Sequence, residues 1–288
     1  MGTFAYACPE TLAEAFSLLA TTPDARVLGG GTDLLVGLRK GRITTPLVVD
    51  LKRIADLPSG IEDRDGALWI GALTPMTVIV DDPRVRAGYP ALAEAAQVVG
   101  SIQIRNRATL GGNLVNASPA ADSATPLLVA GAVLELVGAS GTRKIPLAEF
   151  FLGPGRTALA HGELVRSISL PVQAEREGSA FGRLTRRRGV DLATINLACA
   201  VPMEGPVRFA FGAVGPTPFA ALDSSGVLRD ASAEPAAQNA ALRAITAAAA
   251  PISNVRASRE YREAMLLVLA RRALDTARRR LEVRADVR

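Results

Sequence analysis

Three consecutive glycines, Gly29, Gly30 and Gly31, follow the short run Ala25-Arg26-Val27-Leu28 and lead through Thr32 and Asp33 into Leu34-Leu35-Val36-Gly37-Leu38. A glycine run permits positive φ and close backbone approach, whereas in a regular element each glycine costs about 0.5–1 kcal/mol relative to alanine. The run therefore predicts a strand, a tight turn and a helix. Together with the buried strand Leu47–Leu51 it implies a small α/β lobe. Amides in such a turn can form a nest for an anion, and a purely structural turn explains the same residues. Without GK[ST], and without a clean G-x-G-x-x-G followed by an acidic ribose ligand, the pattern argues against a P-loop or a Rossmann fingerprint.

The neighbouring segments extend the α/β texture. Leu12, Ala15, Phe16 and Leu19 recur at helical spacing behind Thr11, a plausible cap. Strand Leu68-Trp69-Ile70 is followed by Thr74-Pro75 as cap and first helical residue, and YPALAEAAQVVG reads as a helix. A second glycine-marked turn spans Ala108 to Asn113, ahead of a helical PLLVAGA and strand Val133–Val137. The two loops can share one anion between lobes, or serve as independent connectors. From Ser179 onward SAFGRLTRR, ATINLACAV and VRFAFGAV predict an antiparallel meander. The Ala-rich stretch 235–249 and a long amphipathic run with Leu266, Leu269, Leu274 and Leu281 on its core face then cover that sheet, with the arginine-rich face solvated.

Composition excludes several function classes. The chain has 288 residues and a net charge of +5, long enough to bury one to three cores without staples. Its two cysteines, Cys8 and Cys199, form no CxxC, which argues against a disulfide framework, zinc site or iron–sulfur cluster held by this chain. A single histidine, His161 in the turn LAHGEL, leaves no Ser-His-Asp triad and reads as solvated. No apolar stretch reaches 18 residues and the N-terminal segment lacks a signal-peptide pattern, so a cytoplasmic protein without stable membrane insertion is expected. The arginine runs lack interleaved aromatics, so nucleic-acid binding is not expected.

Three segments in order resemble one family. VLGGGTDLLVGLRKG is similar to the AGGTDL segment, RNRATLGGNLVNASPAAD to the TIGGN…ASPxxD segment, and FGRLTRRRGVDLATINLACA to the F-x-K-x(3)-R-R-x(2)-D-x-A segment of the FAD-binding medium subunits of molybdenum hydroxylases. These include the flavin subunits of carbon monoxide dehydrogenase and the flavin domain of xanthine dehydrogenase. The resemblance covers essentially the whole chain.

It implies an α+β fold with two α/β FAD-binding subdomains of the vanillyl-alcohol-oxidase (PCMH) type, residues 1–57 and 58–174, and a C-terminal domain, residues 175–288, with an antiparallel sheet and helices. Carried over by position, Gly29, Gly30, Gly31, Thr32 and Asp33 form one pyrophosphate loop, and Thr109, Leu110, Gly111, Gly112 and Asn113 the other. Asp122 matches an aspartate beside the flavin's polar chain, with a helix N-cap as its alternative role. Val99 and Val165 match positions that contact FAD, and equally suit ordinary core. Arg183 stands where the family often carries lysine, and the resemblance implies a cation delivered near the flavin, although a planar fork does not replace a point charge. Asp191 is expected to pair with Arg187 or Arg188.

The implied function is electron transfer within an oxidoreductase. Noncovalent FAD on this chain accepts electrons from a small partner subunit with two [2Fe–2S] clusters and passes them to an external acceptor, while a large subunit holds molybdopterin and the substrate. The expected assembly is a dimer of heterotrimers. A self-contained flavin oxidase of the same fold and a non-catalytic assembly module are the alternatives.

Overall fold

The computed structural model describes residues 2–171 and 177–286. The expected boundary between residues 174 and 175 lies outside the described residues. Among the described residues, three larger sheets and one two-stranded hairpin organise the chain. The first orders β1 (Ala5–Ala7), β3 (Leu47–Asp50) and β2 (Arg26–Leu28), all parallel. The second is antiparallel, in the order β4 (Ile61–Arg64), β5 (Ala67–Gly71), β10 (Leu164–Pro171), β6 (Val133–Gly138) and β7 (Gly141–Pro146), with β8 (Phe151–Gly153) and β9 (Arg156–Thr157) as a separate hairpin. The third is the expected meander, β11 (Glu177–Leu184), β12 (Ile195–Pro202), β13 (Val207–Gly212) and β14 (Phe219–Asp223).

Between β1 and β2 runs α1 (Leu12–Thr21), whose first turn is closed by the Thr11 hydroxyl accepting the Glu14 amide at 3.2 Å. Ala15 and Leu19 are buried against Leu47, Val49 and Ile54, with Leu12 and Phe16 flanking them. Val137 and Leu164 of the second sheet join this cluster, so the first two sheets share packing. After the glycine turn comes α2 (Leu34–Arg39).

Helices α3 (Met76–Asp81), α4 (Pro83–Gly88), α5 (Pro90–Gln97), α6 (Ile102–Arg105), α7 (Leu110–Val115) and α8 (Ala124–Val129) accompany the second sheet. Met76, Ile79, Leu92, Leu110, Leu114 and Leu127 fill its core against Ile70, Leu134 and Ile168. Pro75 is not the first helical residue as expected. It is extended, with φ −65° and ψ 149°, because its neighbours are engaged in strand-like pairing with the second glycine segment. The Met76 amide donates to the Ala108 carbonyl at 2.9 Å and the Leu110 amide to the Thr74 carbonyl at 3.0 Å. Thr74, buried, bonds the Gly60 amide and carbonyl rather than capping a helix.

The third sheet is covered on both faces, and its two-residue period shows it. Leu197, Cys199, Val201, Phe209 and Phe211 pack under α9 (Pro235–Thr246) and α10 (Arg259–Asp286). The alternate residues Ala198, Ala200 and Ala210 face the second lobe, where their small side chains admit α8. Asn196 has the same parity, and so points at the start of α8.

The arginines of α10 are not uniformly solvated. Arg272 and Arg279 are exposed, but Arg262 is 2% exposed and donates to the Thr194 and Ala213 carbonyls at 2.8 and 2.7 Å, while Arg278 is buried and donates to the Leu228 carbonyl at 2.8 Å. Both tie the helix to loop carbonyls that would otherwise be buried without donors. Among the described residues no helix is long and apolar enough to cross a membrane.

Candidate functional site

The two glycine segments meet. A parallel register of Leu28 with Asp50 carries Gly29–Gly31 and Leu51–Lys52 out from the same end of the first sheet, the end at which parallel α/β sheets hold ligands. There Gly30 lies against the backbone of the second segment: a Cβ on it would fall 1.9 Å from the Arg107 carbonyl oxygen and 3.0 Å from Ala108 Cα. A Cβ on Gly29 would stand 3.3 Å from Thr109 Oγ1. Gly31 has φ +79°, the left-handed region that glycine enters at no steric cost.

Beyond β2, the amides of Gly30, Gly31 and Thr32 donate to no protein acceptor among the described residues, as an anion nest requires. The second segment is built differently. What the sequence suggests is a turn is the first turn of α7, with the Thr109 hydroxyl accepting the Gly112 amide at 3.1 Å. The amides of Leu110, Gly111 and Asn113 are also taken, by Thr74, Ala72 and Thr109 carbonyls at 2.9–3.0 Å. Gly111 is small because α7 packs there: its Cβ would lie 2.7 Å from Ala72 Cβ. Asn106, Arg107 and Thr109 line a pocket shared with Gly29, Gly30 and Lys52.

A polar line continues from α7 to the third sheet. Asn113 Oδ1 accepts the Ser123 hydroxyl at 2.7 Å, next to Asp122. Asp122 does not cap α8. Ser123 occupies the cap position without a side-chain bond, while Asp122, 7% exposed, accepts Asn196 Nδ2 at 2.9 Å and lies 3.2 Å from Arg183 Nε, both through Oδ1. Its Oδ2 has no protein donor among the described residues. Burial pushes the Asp122 carboxyl up to about 6, the Arg183 charge and the Asn196 bond offsetting only part of that effect.

Asn196 is fully buried and was not expected in the site. It is held by the Ala120 carbonyl at 3.3 Å and crowded by Gly212, whose Cβ would meet Asn196 Oδ1 at 2.1 Å. Its one sequence signal is parity on β12, which assigns a face but no partner.

Arg183 is engaged away from open solvent. Its guanidinium reaches Asp122, the Val98 carbonyl at 3.4 Å and the Asp191 carbonyl. The Asp191 carboxylate pairs with Arg186 at 3.0 Å, not with Arg187 or Arg188, because Arg187 turns to the Val190 carbonyl at 2.8 Å. That Arg186 bond holds the Asp191 carboxyl down to about 2. Val99 is half-buried beside the Val98 carbonyl, Val165 packs in the core of the second sheet opposite Leu136, and Asp33 is exposed at the start of α2. His161 is exposed, with Nε2 3.1 Å from the Leu19 carbonyl oxygen.

The seam of free amides, glycine backbone and the Lys52 ammonium, continued by a buried carboxylate with a spare oxygen, suits an extended molecule with an anionic middle and hydroxyl donors. Comparison with known proteins agrees with it. The family model "FAD binding domain in molybdopterin dehydrogenase" matches residues 2–173, and the "CO dehydrogenase flavoprotein C-terminal domain" matches residues 180–277. The chain is 36% identical to a xanthine dehydrogenase FAD-binding subunit of Escherichia coli O157:H7 over 93% of each chain. It is 34% identical to the carbon monoxide dehydrogenase medium chain of Afipia carboxidovorans over 97% of this chain and 98% of that one. Among solved structures, reconstituted CO dehydrogenase from Oligotropha carboxidovorans superposes with a TM-score of 0.89 at 32% identity, covering 97% of this chain and 99% of that one. Quinoline 2-oxidoreductase from Pseudomonas putida 86 gives 0.89 at 27% identity, covering 97% and 98%. The segments that form the seam and the relatives that share the fold lead to one assignment: the chain belongs to the FAD-binding medium subunits of the carbon monoxide and xanthine dehydrogenase family of molybdenum hydroxylases.

Proposed function

We propose that this chain is the electron-transferring flavin subunit of a molybdenum hydroxylase, working in the cytoplasm with a large molybdopterin subunit and a small [2Fe–2S] subunit as a dimer of heterotrimers. The observation that carries the reading is the contact of Gly30 with the Arg107 carbonyl, which makes one anion seat from two distant segments. In this reading the units are residues 1–57, 58–174 and 175–288, and the first two enclose that seat.

Gly30, Gly31 and Thr32 would hold the FAD diphosphate through their amides, with Gly29 and Thr109 closing the seam. Leu110, Gly111, Gly112 and Asn113 would shape its opposite wall, and Asp33 would stand at its mouth. Asp122 would accept hydroxyl donors of the polar chain through Oδ2, positioned by Asn196 and Arg183. Val99 and Val165 would give the ring system its apolar surroundings. When bound without a covalent link, FAD supplies one- and two-electron redox chemistry, while this chain's residues hold it and set the surrounding potential.

Two cysteines and one histidine are too few to ligate both a cluster and a water-activating metal, so in this reading hydroxylation with water's oxygen requires partner chains. The test is anaerobic stopped-flow on the flavin-loaded chain. Purine, aldehyde or carbon monoxide alone is expected to leave the yellow absorption unchanged, and adding the cluster-bearing and molybdenum-bearing chains is expected to bleach it. Rapid substrate-driven bleaching in the lone chain would replace this reading with the self-contained oxidase. Colour that stays on the precipitated chain after denaturation would disprove the noncovalent link.

A further inference from the structure

We propose that Lys52 is a diphosphate-binding residue at the seam between the two glycine segments, donating directly to a phosphate oxygen of the dinucleotide. The proposal rests on the FAD reading and adds a side chain that neither glycine motif contains. Lys52 lies in the single helical turn Leu51–Arg53 that leaves β3, beside the departing Gly29–Gly31 because β2 and β3 run parallel in register. It lines the same pocket as Gly29, Gly30, Arg107 and Thr109.

The ammonium is fixed in place rather than waving in solvent. Nζ lies 2.6 Å from each carboxylate oxygen of Asp50 and 3.5 Å from the Gly29 carbonyl oxygen. Asp50 is itself held by the Tyr6 hydroxyl at 2.5 Å and by the Lys52 amide at 3.1 Å. Its side chain is 5% exposed, against 39% for that of Lys52, so the pair has its carboxylate on the protein side and its ammonium toward the opening. Burial works to raise the Asp50 carboxyl, and the Lys52 and Tyr6 bonds outweigh it, leaving the carboxyl below the usual range. The Asp50 carboxyl is therefore ionised at neutral pH.

An ammonium has three donors, and Asp50 engages two of them. The third reaches the Gly29 carbonyl oxygen at 3.5 Å, a long contact at the pocket that a phosphate oxygen would replace. Arg107 lines the same pocket, its carbonyl against Gly30, so Lys52 is the cation whose position there is fixed by its bonds to Asp50. Lys52 pairs with a carboxylate whose charge it already neutralises, so its contribution is a directed bond more than net charge.

The experiment uses the full chain stripped of flavin, with FAD, riboflavin and inorganic pyrophosphate as probes. Lys52→Met is expected to weaken FAD by about tenfold or more, the equivalent of one charge-assisted hydrogen bond, and to leave riboflavin, which has no phosphate, unchanged. Pyrophosphate should compete with FAD on the wild-type chain and much less on the variant. Because Lys52→Met leaves Asp50 buried and unpaired, the double variant Asp50→Asn/Lys52→Met removes both charges together and keeps the test readable if the single variant does not fold. FAD affinity within twofold of wild type in either variant would overturn the proposal, as would equal losses for FAD and riboflavin. A wild-type chain that binds pyrophosphate through Lys52 but not FAD would overturn the flavin reading and leave the lysine's role standing.

Discussion

Gly30→Val is expected to leave the purified chain almost free of flavin. The added Cβ would fall 1.9 Å from the Arg107 carbonyl oxygen, and that carbonyl cannot simply yield. Its segment is pinned before it by the Arg107 and Ala108 amides on the Ile104 carbonyl, and after it by the Met76 amide on the Ala108 carbonyl and the Leu110 amide on the Thr74 carbonyl. The glycine turn must move instead, taking the amides of Gly30, Gly31 and Thr32 away from the opposite wall. Losing two charge-assisted hydrogen bonds at about 1.5–3 kcal/mol each corresponds to a hundredfold or greater drop in affinity. Folding should suffer less, because the turn is partly open to solvent and the cores lie elsewhere. Gly112→Val is the informative companion: its Cβ meets only the Thr109 hydroxyl, at 2.8 Å, and a side chain can give way where a peptide cannot. The flavin-to-protein absorbance ratio, read beside a urea melt of each chain, tests the claim. Normal flavin content in Gly30→Val would remove the seam as the cofactor seat, and a loss as deep in Gly112→Val would show that the second segment binds more directly than its geometry implies.

The parts of this fold that were legible in the sequence are those fixed by local chemistry. Thr11 ahead of Leu12, Ala15, Phe16 and Leu19 announced α1, and the alternation in ATINLACAV announced a strand, because caps and periods operate within a few residues. Partners are another matter. The Gly30–Arg107 contact spans 77 positions, and nothing in GGGTD says which backbone the missing Cβ makes room for. Asn196 read as one polar residue in an apolar strand, and only the two-sided burial of the third sheet turns it toward Asp122. The second glycine pair was legible as important but not as what it is. Local pattern cannot tell a turn from the first turn of a helix when the distinguishing bonds go to Ala72 and Thr74. Arg262 and Arg278 looked like solvent-facing charges because their acceptors are loop carbonyls from distant segments.

The stability of the flavin-free chain, measured against Asp122→Asn, is expected to fall as pH rises from about 3.5 to about 6.5. Asp122 has its carboxyl raised to about 6 in the folded chain, against 3.8 for the unperturbed side chain. Below both values the group is protonated in either state and contributes no pH dependence. Between them the folded chain keeps a proton that the unfolded chain has released, so raising the pH favours unfolding. Above about 6 the full cost of a buried carboxylate is present, on the order of 3 kcal/mol for a shift of this size. Carboxylates held low, such as Asp50 and Asp191, act with the opposite sign, but they are common to both chains and cancel in the difference. Flavin binding should reverse the preference. A hydroxyl donating to the spare Oδ2 favours the ionised form, so FAD affinity of the wild-type chain should drop as pH falls through about 6, while that of Asp122→Asn should be lower at neutral pH and nearly flat. Urea melts and flavin titrations across this range decide the matter. A pH-independent stability difference would show that Arg183 and Asn196 already keep the carboxylate ionised, and a pH-dependent affinity that survives in Asp122→Asn would place the proton elsewhere.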